Sequence, residues 1–177
     1  MIINIDQQMS QTANLRRIQN EVKQIQTEKD YANICEIRMV GDDMYHWEGV
    51  IYGPEDTLYF GYKFKLDIKL PSDYPFSAPT IKFVTPIQHV NVSQKGDICL
   101  DILKTDWAPS LNMQKVLLTI RVLMSAPNPD DPLNSDLAQL YRTDEKQYSK
   151  KIKDCCRKNA ILVQKTQLIS DVKKCAK

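Results

Sequence analysis

Cys99 stands in an irregular, glycine-marked segment of this 177-residue chain, just after Gly96 and a short distance downstream of Asn91. Irregular segments held on a rigid scaffold can expose a side chain that a helix or a strand would bury. A thiol in such a segment can act as a nucleophile. Cys99 is therefore the candidate nucleophile of the chain.

Two other interpretations of Cys99 stay open from the residues alone. A free cysteine is most often a small buried side chain that packs like an apolar group. A cysteine protease would need a histidine to activate the thiol, and His89 is the only histidine nearby. A lone histidine in a loop usually bonds to backbone, so His89 is expected to be structural. Asp97 and Asp101 would disfavour a thiolate if they lay close to the sulfur.

The composition excludes several function classes. The 24 basic and 22 acidic residues give a net charge of +2, which offers no electrostatic reason for a nucleic-acid partner, so protein partners are expected. Five cysteines without a Cys-x-x-Cys pair predict neither a disulfide framework nor a zinc site, and a reducing compartment fits best. Because the chain has no signal-like lead and no apolar run of membrane-spanning length, it is expected in the cytoplasm or nucleus, without a membrane partner.

Hydrophobic spacing predicts the elements that hold the cysteine segment. Apolar residues at helical spacing follow Thr12, which can cap the start, and predict an amphipathic helix through Ile25. Ile34 to Val40 and Trp47 to Tyr52 predict a β-hairpin. Apolar and charged residues then alternate from Phe60 to Leu70. That alternation is typical of an antiparallel strand with one dry and one solvated face.

The second half of the chain predicts helices. Apolar spacing from Met113 to Met124 indicates a helix with one buried face, capped by Ser110 or Asn112. The prolines between Pro127 and Pro132 predict a stiff loop, because each one fixes φ and prevents a helix from continuing. A short helix and then a longer one follow, and the longer one starts after Thr143 and continues towards the C-terminus.

Strands that are segregated from helices indicate an α+β fold. The expected order is an N-terminal helix, a four-stranded antiparallel sheet that ends with Thr80 to Val84, the irregular segment, a central helix and C-terminal helices. The dry face of the sheet is expected to pack on the central helix. One domain is predicted over residues 12–161, with a polar N-terminal extension over 1–11 and a helical C-terminal extension over 162–177.

Six short motifs in this order resemble those of the ubiquitin-conjugating enzymes. The resemblance spans roughly Thr12 to Ile161, which is nearly the whole chain, and the joint match is far more specific than any one motif. The motifs are Gly53-Pro54, Asp73-Tyr74-Pro75-Phe76, His89-x-Asn91, Gly96-Asp97-Ile98-Cys99-Leu100-Asp101-Ile102-Leu103, Trp107-Ala108-Pro109 and Pro127-Asn128-Pro129-Asp130-Asp131-Pro132-Leu133-Asn134.

The resemblance implies that Cys99 accepts the C-terminal glycine of ubiquitin as a thioester from an activating enzyme. The enzyme then transfers ubiquitin to a substrate lysine, normally with a RING or HECT ligase bound. No metal and no organic cofactor is implied, because ATP is used by the upstream activating enzyme. A monomer is expected.

The resemblance also implies roles for residues around Cys99. Asn91 would support the oxyanion that forms when lysine attacks the thioester, and Val90 stands where the family has a proline. Asp131 would orient and deprotonate the lysine, with Asp101 as a lesser aid.

Two binding surfaces follow by position in the family. The surface for ligases and the activating enzyme comprises Arg16, Arg17, Asn20, Phe76, Ala108 and Pro109. Leu118 would touch the bound donor ubiquitin. Glu36 stands near the position where several relatives carry a small serine that admits a second, noncovalent ubiquitin.

Two alternatives keep the same fold. The chain could conjugate a different ubiquitin-like modifier, or it could be a non-catalytic binding module. The inactive variants of the family lack the cysteine, so Cys99 argues against the binding module.

Overall fold

The alternating residues of the middle of the chain form the sheet that organises the fold. The computed structural model describes residues 5–27 and 34–163, and it has the predicted α+β architecture. Within those ranges, no helix has the length and apolar character needed to cross a membrane. The elements are α1 (Ile5–Thr27), β1 (Cys35–Val40), β2 (Asp43–Tyr52), β3 (Tyr62–Lys69), β4 (Thr80–Phe83), α2 (Met113–Ser125), α3 (Ser135–Thr143), α4 (Glu145–Asn159) and β5 (Ile161–Leu162).

The sheet is an antiparallel meander in the order β1-β2-β3-β4, and β5 pairs with the first two residues of β3. Its dry face carries fully buried side chains such as Phe64, Leu66 and Ile68. Its solvated face carries a ladder of charges, in which Glu48 pairs with Arg38 on β1 at 2.5 Å and with Lys65 on β3 at 3.8 Å. The predicted division into a dry and a wet face is therefore confirmed.

Two helices cover the dry face. The buried side of α2 includes Val116, Leu117 and Ile120, and it joins the same core as Ile18 and Ile25 of α1. Helix α2 lies against β2, α1 lies against β1, and the two helices also contact each other. The packing of the central helix on the sheet is as predicted, and α1 shares that role. The side chain of Asn112 caps α2 by accepting a hydrogen bond from the backbone N–H of Lys115 at 2.9 Å.

Some element boundaries were predicted wrongly. Helix α1 begins at Ile5 and not at Thr12, so the predicted extension 1–11 overlaps the helix. The apolar stripe in the sequence starts later than the helix itself, because glutamine and methionine have a good intrinsic helix propensity and can extend a helix beyond that stripe. Strand β2 also begins earlier than predicted, at Asp43.

Two further boundaries differ at the ends of β3 and α4. Strand β3 begins at Tyr62 because Gly61 takes a positive φ of 82°, which interrupts the alternation and leaves Phe60 exposed. Helix α4 ends at Asn159, where Ala160 turns into an extended conformation. The prediction of a helix that continues through Leu162 is therefore wrong, since Ile161 and Leu162 pair with β3. The rest of that predicted helix lies outside the described residues.

A buried carboxylate joins three parts of the fold. Glu21 on α1 accepts hydrogen bonds from the Tyr74 hydroxyl at 2.8 Å and from the backbone N–H of Met113 at 2.7 Å. It also pairs with Arg17 one turn earlier. Burial, with Glu21 as a further cause, raises the pKa of the Tyr74 hydroxyl. Glu21 therefore fixes α1 to the loop before β4 and to the first turn of α2, where the helix dipole favours a negative charge.

We expect Glu21→Gln to lower the free energy of unfolding by about 2 to 4 kcal/mol, because the change leaves Arg17 and a buried donor without their anionic partner. Urea unfolding followed by circular dichroism measures the loss. Glu55→Gln, which changes an exposed carboxylate in a loop, serves as the matched control. An equal effect of the two substitutions would contradict a structural role for Glu21.

Candidate active site

The segment that carries the cysteine is fixed to the edge of β4. The backbone N–H of Phe83 donates to the carbonyl of Gly96 at 2.9 Å, and Gly96 adopts a φ of 83°. A Cβ atom at Gly96 would lie 2.0 Å from the carbonyl oxygen of Phe83, so only glycine fits this close approach. The backbone of Cys99 in turn donates to the carbonyl of Asn91 at 2.9 Å. These contacts fix where the thiol emerges.

The thiol of Cys99 is partly exposed and contacts two charged side chains. It donates to the Asp131 carboxylate at 3.2 Å, and the Lys104 ammonium donates to its sulfur at the same distance. Cys35 and Cys156, by contrast, are buried, and desolvation raises their pKa values to about 11 and about 12. Those two cysteines fit the interpretation as small core side chains, whereas Cys99 does not.

His89 supports the backbone and does not contact the thiol. Its Nδ1 accepts from the N–H of Asn91 at 3.0 Å, and its Nε2 lies 3.0 Å from the carbonyl of Leu123. Because Nδ1 accepts, Nε2 must carry the proton and donate. The ring is 1% exposed, and burial lowers its pKa to about 4. A neutral histidine with both nitrogens occupied does not activate a cysteine, which argues against the protease interpretation.

The side chain of Asn91 holds the loop that carries Asp131. Its amide donates to the carbonyls of Asn128 at 2.7 Å and Asp131 at 2.9 Å, and its oxygen accepts from the N–H of Asn128 at 2.8 Å. Asn91 is 2% exposed, and both of its amide hydrogens are donated. In this arrangement the amide has no donor left for an oxyanion, so the predicted role would require it to leave the loop.

The loop after α2 is held from two other sides as well. The carbonyl of Val90 accepts from the N–H groups of Leu133 and Asn134, both at 3.0 Å. On the outer side, Arg142 of α3 donates to the Pro129 carbonyl at 2.9 Å and to the Asp130 carboxylate at 2.5 Å. The two adjacent aspartates therefore differ in role, since Asp130 braces the loop.

Asp131, the second aspartate of that loop, is exposed and faces the thiol. Arg142 is a positioning residue that the sequence analysis missed.

The remaining acidic residues of the segment differ in their relation to Cys99. Asp97 pairs with Lys82 at 2.7 Å and accepts from the Ser93 hydroxyl, and its pKa is lowered chiefly by the hydrogen bond to Lys82. The described partners of the Asp97 carboxylate are therefore Lys82 and Ser93. Asp101 opens a 3₁₀ turn with an exposed side chain, and its carbonyl accepts from the N–H of Lys104. The spacing of residues in the sequence did not predict that this turn brings the Lys104 ammonium into contact with the Cys99 sulfur.

The predicted docking residues fall on three elements that hydrogen bonds tie together. The indole N–H of Trp107 donates to the Pro75 carbonyl at 2.8 Å, which joins the loop before β4 to the loop before α2. Arg17 joins α1 to the second loop through the carbonyl of Leu111 at 3.0 Å. Phe76 projects from this surface with 68% exposure, so it is not a core residue.

The other predicted contact residues vary in accessibility. Arg16, Asn20 and Pro109 are exposed and Ala108 is partly buried, whereas Arg17 is engaged by Glu21 and is part of the fold. Leu118 lies partly exposed on α2. Glu36, on the solvated face of the sheet, accepts from the Tyr52 hydroxyl and lies 3.8 Å from Lys63.

The buried His89 predicts a loss of stability in acid. Its pKa is about 4 in the fold against 6.5 in an unperturbed histidine, so on acidification the unfolded chain takes up the proton first. The neutral ring of His89 contributes fully to the free energy of unfolding above pH 6.5. This contribution falls by roughly 3 kcal/mol in total as the pH drops towards 4. Urea unfolding between pH 7 and 4.5 should show this fall in stability. The fall should be shallower in His89→Asn. His46→Asn, at the other histidine of the chain, should keep the steep fall, and equal slopes in all three proteins would contradict the assignment.

Comparison with known proteins shows the family to which the chain belongs. The sequence model of the family "Ubiquitin-conjugating enzyme" matches residues 17–156. A protein of Acanthamoeba polyphaga mimivirus, described as a probable ubiquitin-conjugating enzyme E2, is 50% identical over 153 residues, which cover 85% of this chain and 97% of the relative.

Two solved structures share the fold. The E2 domain of a Toxoplasma gondii ubiquitin conjugating enzyme matches with a TM-score of 0.77 and 37% identity, covering 82% of this chain and 98% of that one. A structure from Plasmodium yoelii matches with a TM-score of 0.78 and 39% identity, covering 83% and 95%. The chain therefore belongs to the ubiquitin-conjugating enzyme family.

Proposed function

We propose that Cys99 accepts ubiquitin from an activating enzyme as a thioester and transfers it to a substrate lysine, normally with a ubiquitin ligase bound. The observation that carries this proposal is the partly exposed sulfur of Cys99, with the Asp131 carboxylate 3.2 Å away and no histidine on the thiol. Such a site suits an acyl group that arrives already activated and must be stored without hydrolysis.

The chemical problem for this enzyme is the attacking amine. A lysine with a pKa near 10.4 is protonated at neutral pH, which is a handicap of about 3.4 pH units or about 4.6 kcal/mol. A carboxylate next to the thioester can hold the amine and take its proton as the new bond forms. Asp131 has the place for this role, because its carboxylate already reaches the sulfur from a loop that is held on both sides.

Asn91 contributes to this reaction by positioning. Its three hydrogen bonds set the distance between the cysteine segment and the loop of Asp131. Acyl transfer needs its groups aligned closely, so a small displacement of this loop would slow the reaction. The oxyanion role that the family resemblance implies for Asn91 is not needed to explain why the residue is present.

The activating enzyme and the ligase proposed for this enzyme share one docking surface. The exposed ring of Phe76, with Pro109, Arg16 and Asn20, forms a surface that can receive the activating enzyme and then a RING or HECT ligase. The donor ubiquitin would contact Leu118 on α2. The reaction requires no metal or organic cofactor, and a cytoplasmic or nuclear location supplies the reduced thiol.

The first test is charging of the protein with ubiquitin. Incubation with activating enzyme, ATP and ubiquitin should give a reductant-sensitive mass gain of one ubiquitin, and Cys99→Ala should abolish it. Cys155→Ala, which removes a partly exposed thiol of α4, should charge like the native chain. A gain that survives Cys99→Ala, or charging only by another ubiquitin-like modifier with its own activating enzyme, would contradict the proposal.

Asp131→Asn should slow discharge of the preformed thioester onto free lysine by about a hundredfold, because the amine loses its proton acceptor. Charging should change little, since a thiol needs far less help than an ammonium. Single-turnover discharge at several pH values measures the effect. The deficit in the discharge rate should shrink as the pH rises towards the pKa of the free amine. Asp136→Asn, at an exposed carboxylate of α3, is the control. A deficit that does not depend on pH would argue against proton transfer to Asp131.

A further inference from the structure

We propose that Lys104 is a catalytic residue, and that its ammonium stabilises the oxyanion formed at the acyl carbon on Cys99. The inference rests on the proposed function and adds to it a hydrogen-bond donor for the oxyanion. Three features of the site support it, namely the position of Lys104, the hydrogen bonds of Asn91 and the charges around the sulfur.

The position of Lys104 is set by the backbone. A single 3₁₀ turn, Asp101–Leu103, follows the cysteine, and the N–H of Lys104 donates back to the carbonyl of Asp101 at 2.9 Å. This turn reverses the chain, so that the ammonium lies 3.2 Å from the sulfur of Cys99. The carbonyl oxygen of a thioester is only two bonds from that sulfur. A donor that now contacts the sulfur can therefore reach the oxygen by a small rotation of a long, exposed side chain.

The second feature is the absence of a free amide donor on Asn91. Both of its amide hydrogens are donated to the loop that carries Asp131. The backbone N–H of Cys99 is also occupied, because it donates to the carbonyl of Asn91. Acyl-transfer enzymes place preformed donors where negative charge develops. Among the described contacts of the sulfur, Lys104 supplies the positive donor.

The charges around the sulfur give the two contacting groups different tasks. The hydrogen bond with Cys99 is the largest cause that raises the pKa of Lys104, and the nearby carboxylates of Asp131 and Asp101 raise it further. Lys104 therefore stays an ammonium, which makes it a hydrogen-bond donor and a poor nucleophile. Asp131 is an anion on the same sulfur, suited to the proton of the incoming amine. Acylation removes the thiol proton and weakens the sulfur as an acceptor, which frees Lys104 for the carbonyl oxygen.

The reaction balances with these groups and solvent water. The substrate ammonium first loses one proton to water. The neutral amine then attacks the thioester carbon, the C–N bond forms, and the π electron pair moves onto oxygen, where Lys104 donates to it. The amine proton passes to Asp131. The carbonyl re-forms as the C–S bond breaks, and the electron pair leaves on Sγ. The thiolate regains a proton from Asp131 along the contact of 3.2 Å that is seen in the free enzyme.

Variants at one position separate the donor from other roles. Lys104→Met removes both the charge and the donor, whereas Lys104→Arg keeps a cationic donor that cannot be acylated. Lys95→Met removes an exposed lysine of the same segment that makes no described contact with the sulfur, and it controls for the loss of one positive charge. Each protein is first charged to completion with ubiquitin, and the thioester is then discharged separately into free lysine and into water.

We expect Lys104→Met to slow discharge into lysine and into water by the same factor, roughly ten- to a hundredfold, because the oxyanion forms whichever nucleophile attacks. This is less than the loss of a buried oxyanion donor, which is about a hundred- to a thousandfold, since water can partly replace an exposed ammonium. The half-saturating lysine concentration should not change. Lys104→Arg should retain most of the native rate, and Lys95→Met should behave like the native enzyme.

Three outcomes would overturn the inference while leaving the proposed function intact, because each requires a thioester on Cys99. The first is equal discharge of the native enzyme and Lys104→Met. The second is a loss confined to lysine as acceptor or to its half-saturating concentration, which would make Lys104 a binding residue. The third is a reductant-resistant ubiquitin on the native chain that both Lys104 variants abolish, together with a discharge rate that Lys104→Arg does not restore. That result would make Lys104 an acceptor of ubiquitin. Failure to charge at Cys99 would instead refute the proposed function.

Discussion

The buried amide of Asn91 is the contact on which the arrangement of the site depends. It connects two loops that are far apart in sequence through three hydrogen bonds, with Asn128 and Asp131 as partners. Buried polar groups are costly unless they are fully bonded, and a fully bonded set rigidifies the structure around it. His89 orients the backbone of Asn91, and the ring is itself held by the end of α2. The thiol and the carboxylate meet because of this chain of contacts.

Positioning and reaction are divided between buried and exposed groups. The positioning groups Asn91, His89 and Glu21 are buried, whereas Asp131 and Lys104 are exposed to solvent. Exposure suits a site that must receive a large protein acyl group and a lysine from another protein. Burial suits groups whose task is to hold loops still. The fold therefore keeps its rigid polar contacts one layer beneath a shallow reactive surface.

Local patterns predicted the elements well and the contacts between elements poorly. The alternation along β3 and the cap by Asn112 depend on neighbours in sequence, so they could be recognised directly. The family resemblance brought Cys99, Asn91 and Asp131 together, which spacing alone could not do. Glu21, Arg142 and Lys104 were missed because their partners lie in other elements or around a turn of unforeseen geometry. One signal was available for Glu21, since a carboxylate on the apolar stripe of a helix requires a partner.

The short strand β5 covers part of an edge of the sheet. Ile161 and Leu162 occupy the edge of β3 beside Tyr62 and Lys63, and Val163 extends the cover by donating to the carbonyl of Gly61. An open strand edge is a template for pairing with another chain. Ile161, Leu162 and Val163 therefore cover part of the β3 edge that would otherwise be open to pairing with another chain.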